Sequence, residues 1–97
     1  MRTSILASLF FGLTANAAMA IDVSSLWDFA RPAVSEQRFR AALEKAAGDD
    51  ALILRTQIAR TYGLRKDFDG ARKLLRDIEP AVGTAGPEAQ VRFHLEL

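Results

Sequence analysis

The sequence predicts an all-α fold assembled from antiparallel helical hairpins. Three observations carry that expectation. Apolar residues recur three and four positions apart in successive stretches of the chain, which is the spacing of one helix face. The breaks between those stretches are short and hold Gly, Asp or Pro, residues that end or start helices. No run alternates apolar with polar residues, and the pair Asp69-Gly70 lies inside a helical pattern instead of between two strand-like runs.

Residues 1–20 form the first element and have the three-part layout of a secretory signal peptide. One charge, Arg2, precedes an apolar stretch from Ile5 to Leu13. Ala18-x-Ala20 then supplies the small side chains that a signal peptidase pocket accepts. A membrane anchor needs about 20 apolar residues to cross the hydrocarbon core, and this stretch is shorter. The expected cut falls after Ala20, which implies export to a periplasm or to the medium. Residues 21–34 have no clean period. Within them Trp27 and Phe29 are expected to plug the end of a helical stack, and Arg31 before Pro32 is steered away from helix.

Residues 35–97 hold the helices. Ser35 is expected to cap the first one, with Glu36 at its positive end. Phe39, Ala42, Leu43 and Ala46 make its apolar stripe, and Gly48 is expected to end it. Of Asp49 and Asp50, one is expected to cap the next helix and the other to sit in its first turn. That second helix is expected over about 51–64, with Leu54, Ile58, Ala59 and Tyr62 on its main stripe. Leu52 and Ile53 widen the apolar surface, so it should be covered on more than one side. A break at 63–67 follows, in which Asp67 caps a third helix over about 68–79. There Phe68, Ala71, Leu75 and Ile78 recur at helical spacing, and Pro80 is expected to stop or bend the chain. Residues 81–86 read as a loop. Pro87-Glu88 opens a fourth helix, with Val91 and Leu95 on one side and Phe93 off that line.

Composition narrows the function classes. The chain has 97 residues, 13 Lys and Arg, 12 Asp and Glu, and no cysteine. Losing residues 1–20 removes Arg2 alone and leaves the two signs balanced. An interspersed, neutral chain offers no electrostatic case for nucleic acid, or for a membrane surface once the leader is cut. Without cysteine it has no disulfide staple, so helix packing must stabilise it.

With these elements placed, the stretch Ile58-Ala59-x-x-Tyr62, a short break, then Phe68-x-x-Ala71-x-x-x-Leu75-x-x-Ile78 resembles a tetratricopeptide repeat (TPR). The resemblance covers residues 51–80, about one repeat. It implies that Ala59 and Ala71 are the small contact positions of a helical hairpin, and that Tyr62, Phe68 and Leu75 are its large fillers. Two echoes flank it: Phe39-x-x-Ala42 matches Phe68-x-x-Ala71 at a separation of 29, and Leu54-Arg55-x-x-Ile58 matches Val91-Arg92-x-x-Leu95 at a separation of 37. The chain departs from the family pattern at Lys66, where glycine is usual, at Arg55, where tryptophan is frequent, and at Pro80, which comes three residues early.

No residue set points to catalysis. His94 is the only histidine and has no metal-ligand partners at suitable spacing. The serines lack a nucleophile-elbow context, and the glycines before Pro87 do not form a phosphate loop. The expectation is a non-enzymatic scaffold with no cofactor and no metal, a TPR-like α-solenoid fragment whose partner is a protein or peptide. By the resemblance, the first helix of each pair lines a concave groove, and the polar candidates there are Arg55, Gln57, Arg60 and Thr61. Two alternatives stay open. One is a small structural protein that self-associates through its fourth helix, as a possible homo-oligomer. The other is a truncated piece of a longer repeat protein.

Overall fold

The computed structural model describes residues 21–97, so the expected leader and its cleavage residues Ala18 and Ala20 lie outside the described residues. The described residues are all-helical, with four α-helices and no strand. A short 3-10 turn, Ser24–Leu26, precedes α1 (Pro32–Leu43), α2 (Gly48–Leu64), α3 (Phe68–Val82) and α4 (Pro87–Glu96).

α1 starts three residues before the expected Ser35. Pro32 occupies the first helical turn, where its missing N–H costs nothing. The residue before it, Arg31, is held out of the helical region at φ −134°, ψ 79°. Ser35 is therefore not a cap. It is fully buried, its hydroxyl donates to the Asp28 carbonyl at 2.9 Å, and its Oγ accepts from the Asp28 N–H at 2.7 Å. One serine thus clips the N-terminal segment onto α1.

α1 also ends earlier than expected, at Leu43. Gly48 takes the left-handed conformation expected of it (φ +59°), but as the first residue of α2 instead of the end of α1. Neither Asp49 nor Asp50 caps α2. Ala47 precedes it with no side-chain cap, and both aspartates lie in its first turn. Asp49 is used elsewhere: its Oδ2 accepts from the Gly86 N–H at 2.8 Å and so ties the start of α4 to the start of α2.

Pro80 does not stop α3, which continues to Val82. The proline is exposed two residues from the helix end, and Val82 beyond it is 5 % exposed. Burying that side chain contributes about 1.5 kcal/mol or more, which helps offset the backbone hydrogen bond that proline cannot make.

α2 packs against α1, α3 and α4. Two apolar clusters meet on it. The first joins Phe39 of α1, Ile53, Leu54 and Ile58 of α2, Ala89 of α4 and Val23 of the N-terminal segment. The second joins Ala59 of α2, Leu75, Ile78 and Val82 of α3 and Phe93 of α4. Leu52 and Leu74 touch both. The coverage of α2 on more than one side follows from its sequence: seven of its residues, including Thr56, Gln57 and Thr61, are buried. The hydroxyls of Thr56 and Thr61 donate back to the carbonyls of Ile53 and Ile58, each at 2.6 Å, so each buried hydroxyl has a partner inside its own helix.

Candidate functional site

The site is built at the α2–α3 turn. α2 closes with two backbone bonds: the Asp67 N–H reaches the Tyr62 carbonyl and the Lys66 N–H reaches the Gly63 carbonyl, both at 2.9 Å. This pair is a Schellman ending, and it requires a left-handed residue at its bend. Lys66 occupies that place at φ +67°, the position where the resemblance leads one to expect glycine. Asp67 then caps α3 by accepting from the Gly70 N–H at 2.9 Å, as expected.

Arginines brace the same turn against α1. Glu36 accepts from Arg40 Nε and from Arg65 Nη2, each at 2.6 Å. Arg65 lies over the Tyr62 ring at 5.0 Å, and Arg40 donates to the Tyr62 hydroxyl at 3.1 Å. Burial on its own would raise the Glu36 carboxyl, but the hydrogen bonds and positive charges of Arg40 and Arg65 outweigh it and hold that carboxyl below its ordinary value. The hydrogen bond that Arg40 donates to that carboxylate outweighs burial and correspondingly raises Arg40.

Beside this turn lies an open cleft of about 450 Å³. Its floor comes from the last turns of α2 and the first turns of α3, through Ala59, Gly63 and Ala71. Leu64, Phe68 and Leu97 stand on its rim and are 47 %, 55 % and 76 % exposed. Arg60 and Arg72 supply charge. Arg60 holds Glu96 at the end of α4 at 3.2 Å, and Arg72 holds the exposed Asp69. A second hollow of about 170 Å³ adjoins it, shares Arg72, Leu75 and Leu97, and adds Arg76, Glu79 and the buried Phe93. Arg76 makes no ion pair among the described residues.

The four residues expected to line a groove do not share a face. Gln57 is buried and accepts from Trp27 Nε1 at 2.9 Å. Thr61 is buried, and its Oγ1 accepts from Arg65 Nη2 at 3.2 Å. Both are spent inside the chain, so neither is available to a partner. Arg55 and Arg60 are exposed, but five residues of helix put them about 140° apart. Of the repeat residues, Ile58, Ala59, Leu75 and Ile78 are buried, while Tyr62 and Ala71 are half-buried. Phe68 does not fill a core, because its ring lies at the cleft rim.

Trp27 does cover the apolar body: it meets Phe39 edge-on at 5.0 Å and stacks with Phe29 at 4.5 Å, while Phe29 itself is 62 % exposed. On α4, Val91 and Leu95 face water at 56 % and 72 %, and Phe93 is the anchor. Sequence reasoning missed the cleft residues Gly63, Leu64, Arg72, Arg76 and Leu97. One signal was present, because Leu64 and Phe68 are apolar side chains flanking the same break. Among the described residues, no three His, Cys, Asp or Glu side chains gather in a way that could hold a metal, and no helix is long and apolar enough to cross a membrane. No protein-family model, curated protein or solved structure matches this chain.

Proposed function

We propose that this chain is an exported, TPR-like helical scaffold that binds a segment of another protein and does no chemistry of its own. One observation carries the reading. Three of the large apolar side chains that the described residues leave exposed, Leu64, Phe68 and Leu97, rim a single cleft. Clustered exposed apolar surface marks an interaction site more often than scattered residues do. The hairpin part of the proposal draws support from the three-residue link 65–67, which joins two helices that pack on each other. It also draws support from Ala59 at their contact. For export, the support is that Ile21 and Val23 pack into the first cluster, so the folded body reaches the expected cut site.

Selection from a displayed peptide library, followed by titration of the purified chain with the survivors, tests binding. The proposal expects at least one saturable ligand, and a library that enriches nothing contradicts it. Export has its own test, the N-terminal mass of the protein recovered from a producing cell, which should correspond to a start at Ile21.

The exposed Val91 and Leu95 on α4 favour a second reading, self-association through that helix. A stable dimer buries about 800 Å² per partner, more than a helix of ten residues offers alone. Sedimentation separates the readings: a concentration-dependent dimer that Leu95→Glu dissolves supports self-association.

A further inference from the structure

We infer that residues 21–30 are a strap that opens from α1 and α2 as one unit, and that a second copy of this chain fills the emptied seat with the same segment. This exchange goes beyond the binding-scaffold reading, because seat and strap both belong to this chain.

The strap bonds to itself. The N–H groups of Ser24 and Ser25 reach Asp22 Oδ1 at 3.1 and 3.4 Å. Those of Leu26 and Trp27 reach the carbonyls of Val23 and Ser24 at 3.1 and 3.3 Å. Phe29 stacks on Trp27 within the same segment. Among the described residues, no backbone-to-backbone hydrogen bond joins residues 21–30 to a helix. The strap can therefore leave without orphaning these backbone groups. The helices left behind keep the second cluster, which holds no strap residue, and α2 keeps its packing against α1, α3 and α4.

The seat reads side chains. Val23 is buried in the first cluster with Phe39 and Leu54, and Trp27 meets Phe39 edge-on. Gln57, itself buried, accepts the indole N–H. Ser35, fully buried, accepts the Asp28 N–H and donates to the Asp28 carbonyl. Buried polar groups need such partners. An occupant must bring an aliphatic side chain, an indole four residues on, and a free N–H and carbonyl beside it. The strap of a second copy brings all of these at the same spacing, so exchange of the identical element restores every contact of the seat.

The hinge lies in the open. Phe29, Ala30 and Arg31 are exposed, and Arg31 already stands outside the helical region at φ −134°, ψ 79°. Asp28 and Arg31 close the turn through a backbone bond at 3.0 Å and an ion pair at 2.9 Å. Rotation about these residues frees the strap without unwinding α1, because Pro32 keeps that helix from growing back into it.

The test uses the chain as recovered from a producing cell. Trp27 is the sole tryptophan, so Trp27→Ala carries none and a synthetic peptide of residues 21–31 supplies the signal. The substitution weakens the resident strap and leaves the seat intact. On titration with this variant, the peptide's emission should shift to the blue and saturate, with a Kd below ~500 μM. A peptide with Val23→Asp should bind at least ~10-fold more weakly. The native chain should bind the native peptide, fluorescein-labelled, at least ~5-fold more weakly than Trp27→Ala does. Its own strap competes at an effective concentration of ~1 mM. Sedimentation of the native chain should show a dimer fraction that rises toward ~1 mM and survives Leu95→Glu.

Absence of binding to Trp27→Ala overturns the inference, as do equal affinities of the two peptides or of the two chains. If Trp27→Ala loses its helical circular dichroism, Val23→Thr replaces it, with the labelled peptide. Loss in both variants shows that strap and helices do not separate, which contradicts the inference. A native chain that stays monomeric to ~1 mM, or a dimer that Leu95→Glu dissolves, contradicts exchange between copies. The library selection needs neither strap nor seat, so the binding-scaffold reading stands or falls separately.

Discussion

Gly70 stands where the turn leaves no room. A Cβ there would lie 2.6 Å from Asp67 Oδ2 and 2.8 Å from Tyr62 Cδ2, so the cap of α3 and the Tyr62 ring both depend on its absence. Gly70→Ala should therefore lower stability by about 1–3 kcal/mol in urea unfolding, although alanine is the better helix former. Lys66 poses the opposite case, since a side chain sits at φ +67°. Lys66→Gly should raise stability by about 0.5–1 kcal/mol, because only glycine takes that conformation without steric cost.

Glu36 gives a pH test. Its carboxyl lies below the ordinary 4.5 in the folded chain, so the unfolded chain takes up the proton first as pH falls. The stabilisation is complete above 4.5 and is lost as the pH drops through the lowered folded value. The stability gap between the native chain and Glu36→Gln should stay flat from neutrality to about pH 5 and close below 4.5. The features of this turn were unevenly legible in the sequence. The Asp67 cap follows from residue type alone. The strained lysine, the glycine under a ring and the carboxylate between two arginines are products of chain geometry, and no local pattern announces them.

At the scale of the element, α4 separates pattern from contact. Its apolar residues fall into two pairs of the same spacing, Val91 with Leu95 and Ala89 with Phe93, and only Ala89 and Phe93 are buried. The reason is which neighbours exist: on one side Ala89 meets the first cluster and Phe93 the second, and no described residue covers the other. Phe93→Ala should cost about 3–5 kcal/mol, whereas Val91→Ala should cost less than about 0.5 kcal/mol. Equal costs would mean that α4 is rotated from the orientation described. The helix count and the α2–α3 break were readable from periodicity. The starts of α1 and α2 were not, because Ser35 and Asp49 are drawn into contacts seven and 37 residues away. The stop allowed for at Pro80 does not occur for the same kind of reason: packing of Val82 prolongs a helix that local propensity would end.

For the whole molecule, the organising feature is that α2 is enclosed by its three partner helices and by Trp27 through Gln57. The polar residues of α2 were expected to face a ligand, and two of them are consumed by this enclosure. A sequence reports polarity, and only the packed chain reports which polar groups already have partners. The candidate cleft was correspondingly hard to foresee, because it is assembled from the ends of three helices. Ala71 belongs to it as a half-buried wall residue. A larger side chain there should occupy the cleft before it forces α2 and α3 apart.

The central claim, that the fold is organised around α2, is tested most directly by native-state amide hydrogen exchange. The account predicts that amides 53–61 exchange most slowly, and only through global unfolding, while those of α4 open locally at lower free energy. Exchange across 53–61 as fast as in α4 would contradict it.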